Sequence, residues 1–181
     1  MSDLKEKFNN TIVAELKDEL KLTTVSAVPK VSKVVISAKT GAIKEDRDAI
    51  ESIRKELAEI TGQQPKINLS RKAVSSFKLR IGQPVGLTVT LRGERMYDFI
   101  SKLTNIAIPR IRDFKGLPKK SFDGQGNYSI GVQEHIIMPE AKYEGNTRIF
   151  GFQVNIQTTA KSDEHALALL TKLGFPFEKI N

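Results

Sequence analysis

Between Val85 and Arg92 the chain alternates without a break. Val85, Leu87, Val89 and Leu91 fall on one side of an extended backbone, and Gly86, Thr88, Thr90 and Arg92 on the other. A period of two predicts a strand with one packed face and one face open to water or a ligand. Helical periods surround it. Leu4, Phe8, Ile12, Leu16 and Leu20 make one stripe and predict a helix over 3–22. Ile50, Ile53, Leu57 and Ile60 predict another over 46–61, closed by Gly62 in the left-handed region. Met96, Phe99, Ile100, Leu103 and Ile106 predict a third over 94–106, which should stop near Ile108 because Pro109 follows. Ser162 is placed to cap a last helix lined by Ala166, Leu167, Leu170 and Leu173. β-Branched residues predict a strand over 30–38, an extended stretch over 66–70, and strands beginning at Tyr128 and at Phe150. Strands and helices mix without regular βαβ alternation. The expected fold is therefore α+β, a mostly antiparallel sheet with helices packed on one face and a long basic loop. The whole chain, 1–181, is expected to form one domain.

The composition removes several function classes. No cysteine is present, so disulfide frameworks, thiolate metal sites and thiol catalysis are excluded. No apolar run is long enough to span a membrane, and the first residues lack a signal core, so the expected compartment is the cytoplasm. His135 and His165 are the only histidines and fall on different predicted elements, without metal-ligand spacing. Gly124, Gln125 and Gly126 do not make a dinucleotide fingerprint, and Glu94 with Asp98 reads as a solvated helix face. No enzyme, cofactor or metal is expected.

Charge points elsewhere. Residues 66–120 hold 13 basic and 3 acidic side chains, net +10, more than the +8 of the whole chain. A segregated basic zone is the electrostatic footprint of a polyanion partner. Within it, Arg71, Lys72, Lys78 and Arg80 surround Phe77 and Ser70, Ser75 and Ser76. Cations neutralise phosphates, hydroxyls bond phosphate or ribose, and an aromatic stacks on bases. The same residues also suit a solvated hairpin with Phe77 folded back onto the core. The row Thr88, Thr90, Arg92 suits an RNA backbone, and equally a solvated sheet face.

A set of ordered motifs goes further. Leu91-Arg92-Gly93-Glu94-Arg95-Met96 is followed by Ile108-Pro109-Arg110-Ile111-Arg112-Asp113-Phe114 and then by Ser121-Phe122-Asp123-Gly124-x-Gly126-Asn127-Tyr128. Thr158-Thr159-Ala160-Lys161 and Phe175-Pro176-Phe177 complete the series. From Val28 to Phe177 the chain resembles the family of large ribosomal subunit protein five in its bacterial form. The resemblance implies an α+β, non-catalytic RNA-binding protein of the central protuberance, ribosome-bound in the cytoplasm. It implies that the protein holds 5S rRNA against large-subunit rRNA. It also implies that a basic loop reaches P-site tRNA and that another surface meets small-subunit protein thirteen. Carried over by position, Arg71, Lys72, Ser75, Ser76, Lys78 and Arg80 are the tRNA-loop residues, and Gln63, Thr88, Thr90 and Arg92 contact 5S rRNA. The turn that the family commonly writes Asn-Met-Gly-x-Gly is Ser37-Ala38-Lys39-Thr40-Gly41 here. Ser37, Lys39 and Thr40 take the 5S rRNA positions there, with Lys39 suited to a phosphate contact in place of a close backbone approach.

Overall fold

The structure, a computed structural model, describes residues 3–141 and 149–178. Five strands form one sheet: β1 Val31–Lys39, β2 Lys66–Leu69, β3 Pro84–Leu91, β4 Tyr128–Val132 and β5 Phe152–Thr158, in the order β2-β3-β1-β5-β4. β2 and β3 pair antiparallel, Lys66 opposite Thr88 and Asn68 opposite Gly86. The fold is α+β with an antiparallel sheet, as the mixed periods predicted. The helices are α1 Asp3–Lys7, α2 Val13–Glu19, α3 Arg47–Thr61, α4 Gly93–Lys102 and α5 Asp163–Lys172. No helix among the described residues is long and apolar enough to cross a membrane. The chain groups into two compact units. One contains residues 1–34, 91–130 and 155–181; the other contains 35–90 and 131–154.

In the second unit, Ile36 and Ala38 of β1 and Leu87 and Val89 of β3 are buried, while their neighbours in sequence are not. α3 supplies Ile50, Ile53, Leu57 and Ile60 to the same core. Its start and stop are written locally: the Asp46 carboxylate accepts from the Ala49 N–H (2.9 Å), and Gly62 closes the helix at φ +67°. Arg54 ties its outer face to the Pro65 carbonyl (3.2 Å) just before β2. β3 runs close to β1 at Gly86. A Cβ there would lie 3.1 Å from the Ala38 carbonyl oxygen.

In the first unit the N-terminal stripe buries Phe8, Ile12 and Leu16. A π-helical turn, Phe8–Ile12, joins α1 to α2, and Phe8 packs on Tyr97 of α4 with ring centroids 5.9 Å apart. The third helix does not stop before Pro109. It continues as a π turn, Leu103–Ala107, and a 3-10 turn, Ile108–Arg110, where the proline occupies an initial position that needs no N–H. In α5 the inward residue is Leu169 rather than Leu167. Ser162 caps that helix through the His165 N–H at 3.4 Å.

Composition alone makes 110–127 a long loop, a class that is often mobile. The segment is pinned at two places. Leu117 is buried and pairs with the C-terminal stretch, its N–H donating to the Pro176 carbonyl (2.8 Å) and its carbonyl accepting from Glu178 (3.1 Å). Tyr128 donates its hydroxyl to the Pro118 carbonyl (2.9 Å) and packs against the rings of Phe122 and Phe177; burial pushes its phenol up to about 12. The glycine motif is a structural knot. Asp163 accepts from the N–H groups of Gly124 (3.1 Å) and Gly126 (2.8 Å), and Thr158 donates to the Gly126 carbonyl (2.7 Å).

Asp123 closes the same turn. It accepts from the Asn127 side chain (2.7 Å) and from the backbone of Gln125 and Asn127, which holds its carboxyl below the usual carboxylate range. A carboxylate with a depressed folded pKa contributes stability above its unfolded value and loses it as pH falls through the folded one. Asp123→Asn should therefore lower the thermal midpoint at pH 7, and the gap to the unchanged chain should close below about pH 4. A gap independent of pH would show that the charge is not what the turn uses.

Candidate nucleic-acid interface

The candidate residues fall mostly in the second unit, on two adjacent features. The first is the open side of β1, β2 and β3. Ser37 and Lys39 alternate with the buried Ile36 and Ala38, so they face away from the core. Thr88 and Thr90 alternate with Leu87, Val89 and Leu91 in the same way. Register places Lys66 and Asn68 of β2 on that side too, opposite Thr88 and Gly86. Polar side chains on this face are organised rather than loose. Asn68 donates its side-chain N–H to the Thr88 hydroxyl (2.5 Å). Gln63 donates through its amide to the Thr90 carbonyl (3.1 Å), which fixes the amide beside β3 and leaves its oxygen and second N–H for another partner. Thr90 as a residue is half-buried, and its hydroxyl has no partner among the described residues. Ser37 and Lys39 also line a cavity of about 590 Å³ together with Gly131, Gly151 and Gln153.

One sequence expectation changes here. Thr40 is 1% exposed, and its hydroxyl is buried without a partner, so the side chain is not on the open face. The strand runs on to Lys39, and Thr40 turns inward to start a 3-10 turn, Gly41–Ile43, its N–H donating to the Val85 carbonyl. Arg92 is exposed and still extended (φ −140°, ψ 163°) directly after β3, where it is the N-cap residue of α4 in the first unit.

The second feature is the connection between β2 and β3. It is a hairpin extension. Ser70 and Gln83 close its base (2.8 Å), and Val74 and Leu79 exchange backbone hydrogen bonds near its tip (3.0 and 3.1 Å). The tip is a 3-10 turn, Ser75–Phe77, followed by Lys78 at φ +48°. Residues 71–78 are all exposed. Phe77 is 74% exposed, which removes the alternative in which it folds back onto the core. Ile81, 70% exposed, and Leu69 add apolar surface near the base of the hairpin. Ser75, Lys78 and Arg80 share one concave side of about 710 Å³. The ammonium of Lys44 reaches across to the tip and donates to the carbonyls of Phe77 (2.7 Å) and Lys78 (2.6 Å). Sequence reasoning missed Lys44, because no local pattern signals a contact across more than thirty residues.

His135 was also missed as a partnered residue. It is 1% exposed. Its Nδ1 accepts from the Phe150 N–H (3.3 Å), its Nε2 lies 3.0 Å from Glu56, and its ring stacks on Phe150. Burial lowers the imidazole pKa and raises that of Glu56, disfavouring the charged form of each, and with the Phe150 N–H on Nδ1 it is Nε2 that faces the Glu56 carboxyl. Both nitrogens therefore face protein groups, and the ring is buried away from solvent.

The comparisons define the class. The family model for the C-terminal part of ribosomal protein L5 matches residues 84–177, and the model described as ribosomal protein L5 matches residues 25–80. The large ribosomal subunit protein uL5 of Halothermothrix orenii is 45% identical over 179 residues, which is 99% of this chain and all of that protein. Its counterpart in Microcystis aeruginosa is 47% identical over 174 residues, 96% of this chain and 97% of that one. Such proteins are structural components of the ribosome, not enzymes. The chain belongs to the uL5 family of large-subunit ribosomal proteins.

Proposed function

We propose that this chain works in the ribosome as a clamp on 5S rRNA in the central protuberance of the large subunit, with the open side of β1–β3 as the clamping surface. The observation that carries this reading is the ordered polar row on that side. Thr90 offers an unpartnered hydroxyl beside the anchored Gln63 amide, Thr88 is braced by Asn68, and Lys39 and Lys66 stand at the margins. Hydroxyls and amides held at fixed positions suit ribose 2′-hydroxyls and phosphates of a folded RNA, and marginal cations set affinity. Family membership supplies the ribosomal context.

In the same reading the exposed hairpin carrying Arg71, Lys72, Ser75, Ser76, Lys78 and Arg80 reaches P-site tRNA. Another surface links 5S rRNA to large-subunit rRNA, and a further one meets small-subunit protein thirteen. The hairpin supports its part through exposure: its cations and Phe77 are available to phosphates and bases without any rearrangement.

Thr90→Val tests the clamp. Shape is kept and one hydroxyl is lost, so the thermal midpoint should hold while 5S rRNA affinity falls by about 1–2 kcal/mol, roughly 5- to 30-fold. Filter binding at fixed salt measures it. Unchanged affinity would remove this face from the interface.

A further inference from the structure

Aspartate followed by glycine is open to a spontaneous backbone reaction. Glycine puts no side chain in front of its own nitrogen, so that nitrogen can attack the carboxyl of the aspartate before it. The chain has a single Asp-Gly pair, Asp123-Gly124, and no Asn-Gly pair. Both residues are exposed, and Gly124 has open space where a Cβ would stand, so packing does not keep water from the pair.

The reaction needs no partner but water. The Gly124 nitrogen bonds to Cγ of a protonated Asp123 carboxyl. The amide hydrogen and the carboxyl hydroxyl leave as water, and a five-membered succinimide closes. Water then opens the ring at either carbonyl. Opening at the former main-chain carbonyl frees it as a carboxyl and leaves the backbone running through Cβ and Cγ of Asp123, which is isoaspartate. No electrons are transferred, and the chain gains one backbone carbon.

The fold ties up both reacting groups. The Gly124 N–H, the nucleophile, donates to the Asp163 carboxylate (3.1 Å). The Asp123 carboxylate, the electrophile, accepts from the N–H groups of Gln125 (2.9 Å) and Asn127 (3.0 Å) and from the Asn127 side chain (2.7 Å). These bonds favour the ionised carboxyl, which lacks the hydroxyl that must leave. Asp163 also holds the far side of the turn through the Gly126 N–H (2.8 Å). Ring closure therefore requires the turn to open locally. The product no longer suits the turn. An extra backbone atom separates the Gln125 and Asn127 N–H groups from the carboxylate they share. Gly126 has no room to take up the shift, since a Cβ there already lies 2.9 Å from the Ala160 Cβ and 3.0 Å from its carbonyl oxygen.

We propose that Asp123-Gly124 is a latent isoaspartate site, held closed in the folded chain by Asp163, so that a chain left unfolded acquires a backbone that no longer fits this turn. The proposal concerns the life of the chain rather than its RNA contacts, and it stands or falls apart from them.

The test incubates the full chain at mildly acidic pH. Isoaspartate is read from the tryptic peptide that begins at Ser121, by chromatographic separation and by labelling with an isoaspartyl methyltransferase. The chain unfolded in guanidinium chloride should convert at least about tenfold faster than the folded chain. Asp163→Ala, kept well below its own thermal midpoint, should also convert at least about tenfold faster than the unchanged folded chain, because two hydrogen bonds to a charged group no longer oppose opening. Phe8→Leu loosens the same unit away from the turn and should stay within about threefold of the unchanged chain. Equal acceleration by the two variants would reduce the effect to general loosening and overturn the proposal. So would a folded chain that converts as fast as the unfolded one, or an unfolded chain that forms no isoaspartate. Should Asp163→Ala fail to fold, Asp163→Asn keeps one accepting oxygen and should convert at a rate between those of the folded and unfolded chains; a rate equal to that of the unchanged folded chain would overturn the role of Asp163. A chain converted in guanidinium chloride and then refolded should melt below one refolded at once. Equal midpoints would show that the turn accepts the product, and would overturn the stated consequence.

Discussion

With Arg71, Lys72, Lys78 and Arg80 all replaced by Ala, binding to tRNA should lose most of its salt dependence. Each phosphate contact releases counterions worth about 0.7–0.9 in the log-log slope, so four contacts contribute a slope of about −3. Over the fourfold range from about 50 to 200 mM salt, that slope corresponds to roughly a 60-fold change in affinity, which the variant should no longer show. Folding should be nearly untouched, because the four side chains are exposed and exposed cations contribute little stability. Lys44→Met separates charge from shape. It leaves all four hairpin cations in place but removes the ammonium that holds the carbonyls of Phe77 and Lys78. Affinity should fall while the slope barely changes, since the loss is one of pre-organisation. A quadruple variant that unfolds, or one that keeps the full slope, would show that the hairpin is not a phosphate-binding arm.

Gly126→Val should strongly destabilise the first unit. Gly126 sits at φ +79°, a conformation that costs an L-residue about 1–2 kcal/mol and a β-branched one more. Its Cβ would also lie 2.9 Å from the Ala160 Cβ and 3.0 Å from the Ala160 carbonyl, with the Ser162 carbonyl at 3.2 Å. Crowding of this kind costs a further ~1–3 kcal/mol. Displacing the turn would in addition strain the hydrogen bonds from Gly126 N–H to Asp163 and from Thr158 to the Gly126 carbonyl. The expected loss is about 3 kcal/mol, a fall in thermal midpoint of roughly 6–12 °C for a chain of this size. Gly124→Val is the control. Gly124 has a similar φ, +83°, but open space where its Cβ would point, so it should lose only the conformational part. Equal losses at the two sites would mean that the close approach to Ala160 is unimportant.

What could be read from sequence was what repeats locally. Alternation over 85–92 marked the packed and open sides of β3, and Ile50, Ile53, Leu57 and Ile60 marked the buried side of α3. Helix ends were legible where a cap or glycine sits beside them in sequence, at Gly62 and Ser162. Strand order was not legible, because β3 lies beside β1 through contacts more than forty residues apart. The same reason hid the Gln63–Thr90 and Asn68–Thr88 bonds, the reach of Lys44 to the hairpin tip, and the anchoring of Leu117 by Pro176. Thr40 shows the limit of carrying a site over by position. The residue is polar and stands at the expected place in the chain, yet the backbone turns it inward at the end of β1. Asp163 shows a second limit. A first-turn acid reads as a partner of the helix dipole, whereas here it also braces a distant glycine turn.

The central claim is that one side of the β1–β3 region lies against 5S rRNA. Nucleotide-resolution footprinting of 5S rRNA with the full chain tests it most directly. A compact protected patch is predicted, weakened throughout by Thr90→Val and retained when Arg71, Lys72, Lys78 and Arg80 are replaced by Ala. Protection that ignores the Thr90 change and vanishes with the hairpin charges would contradict the account, and would move the 5S rRNA contact from the sheet to the hairpin.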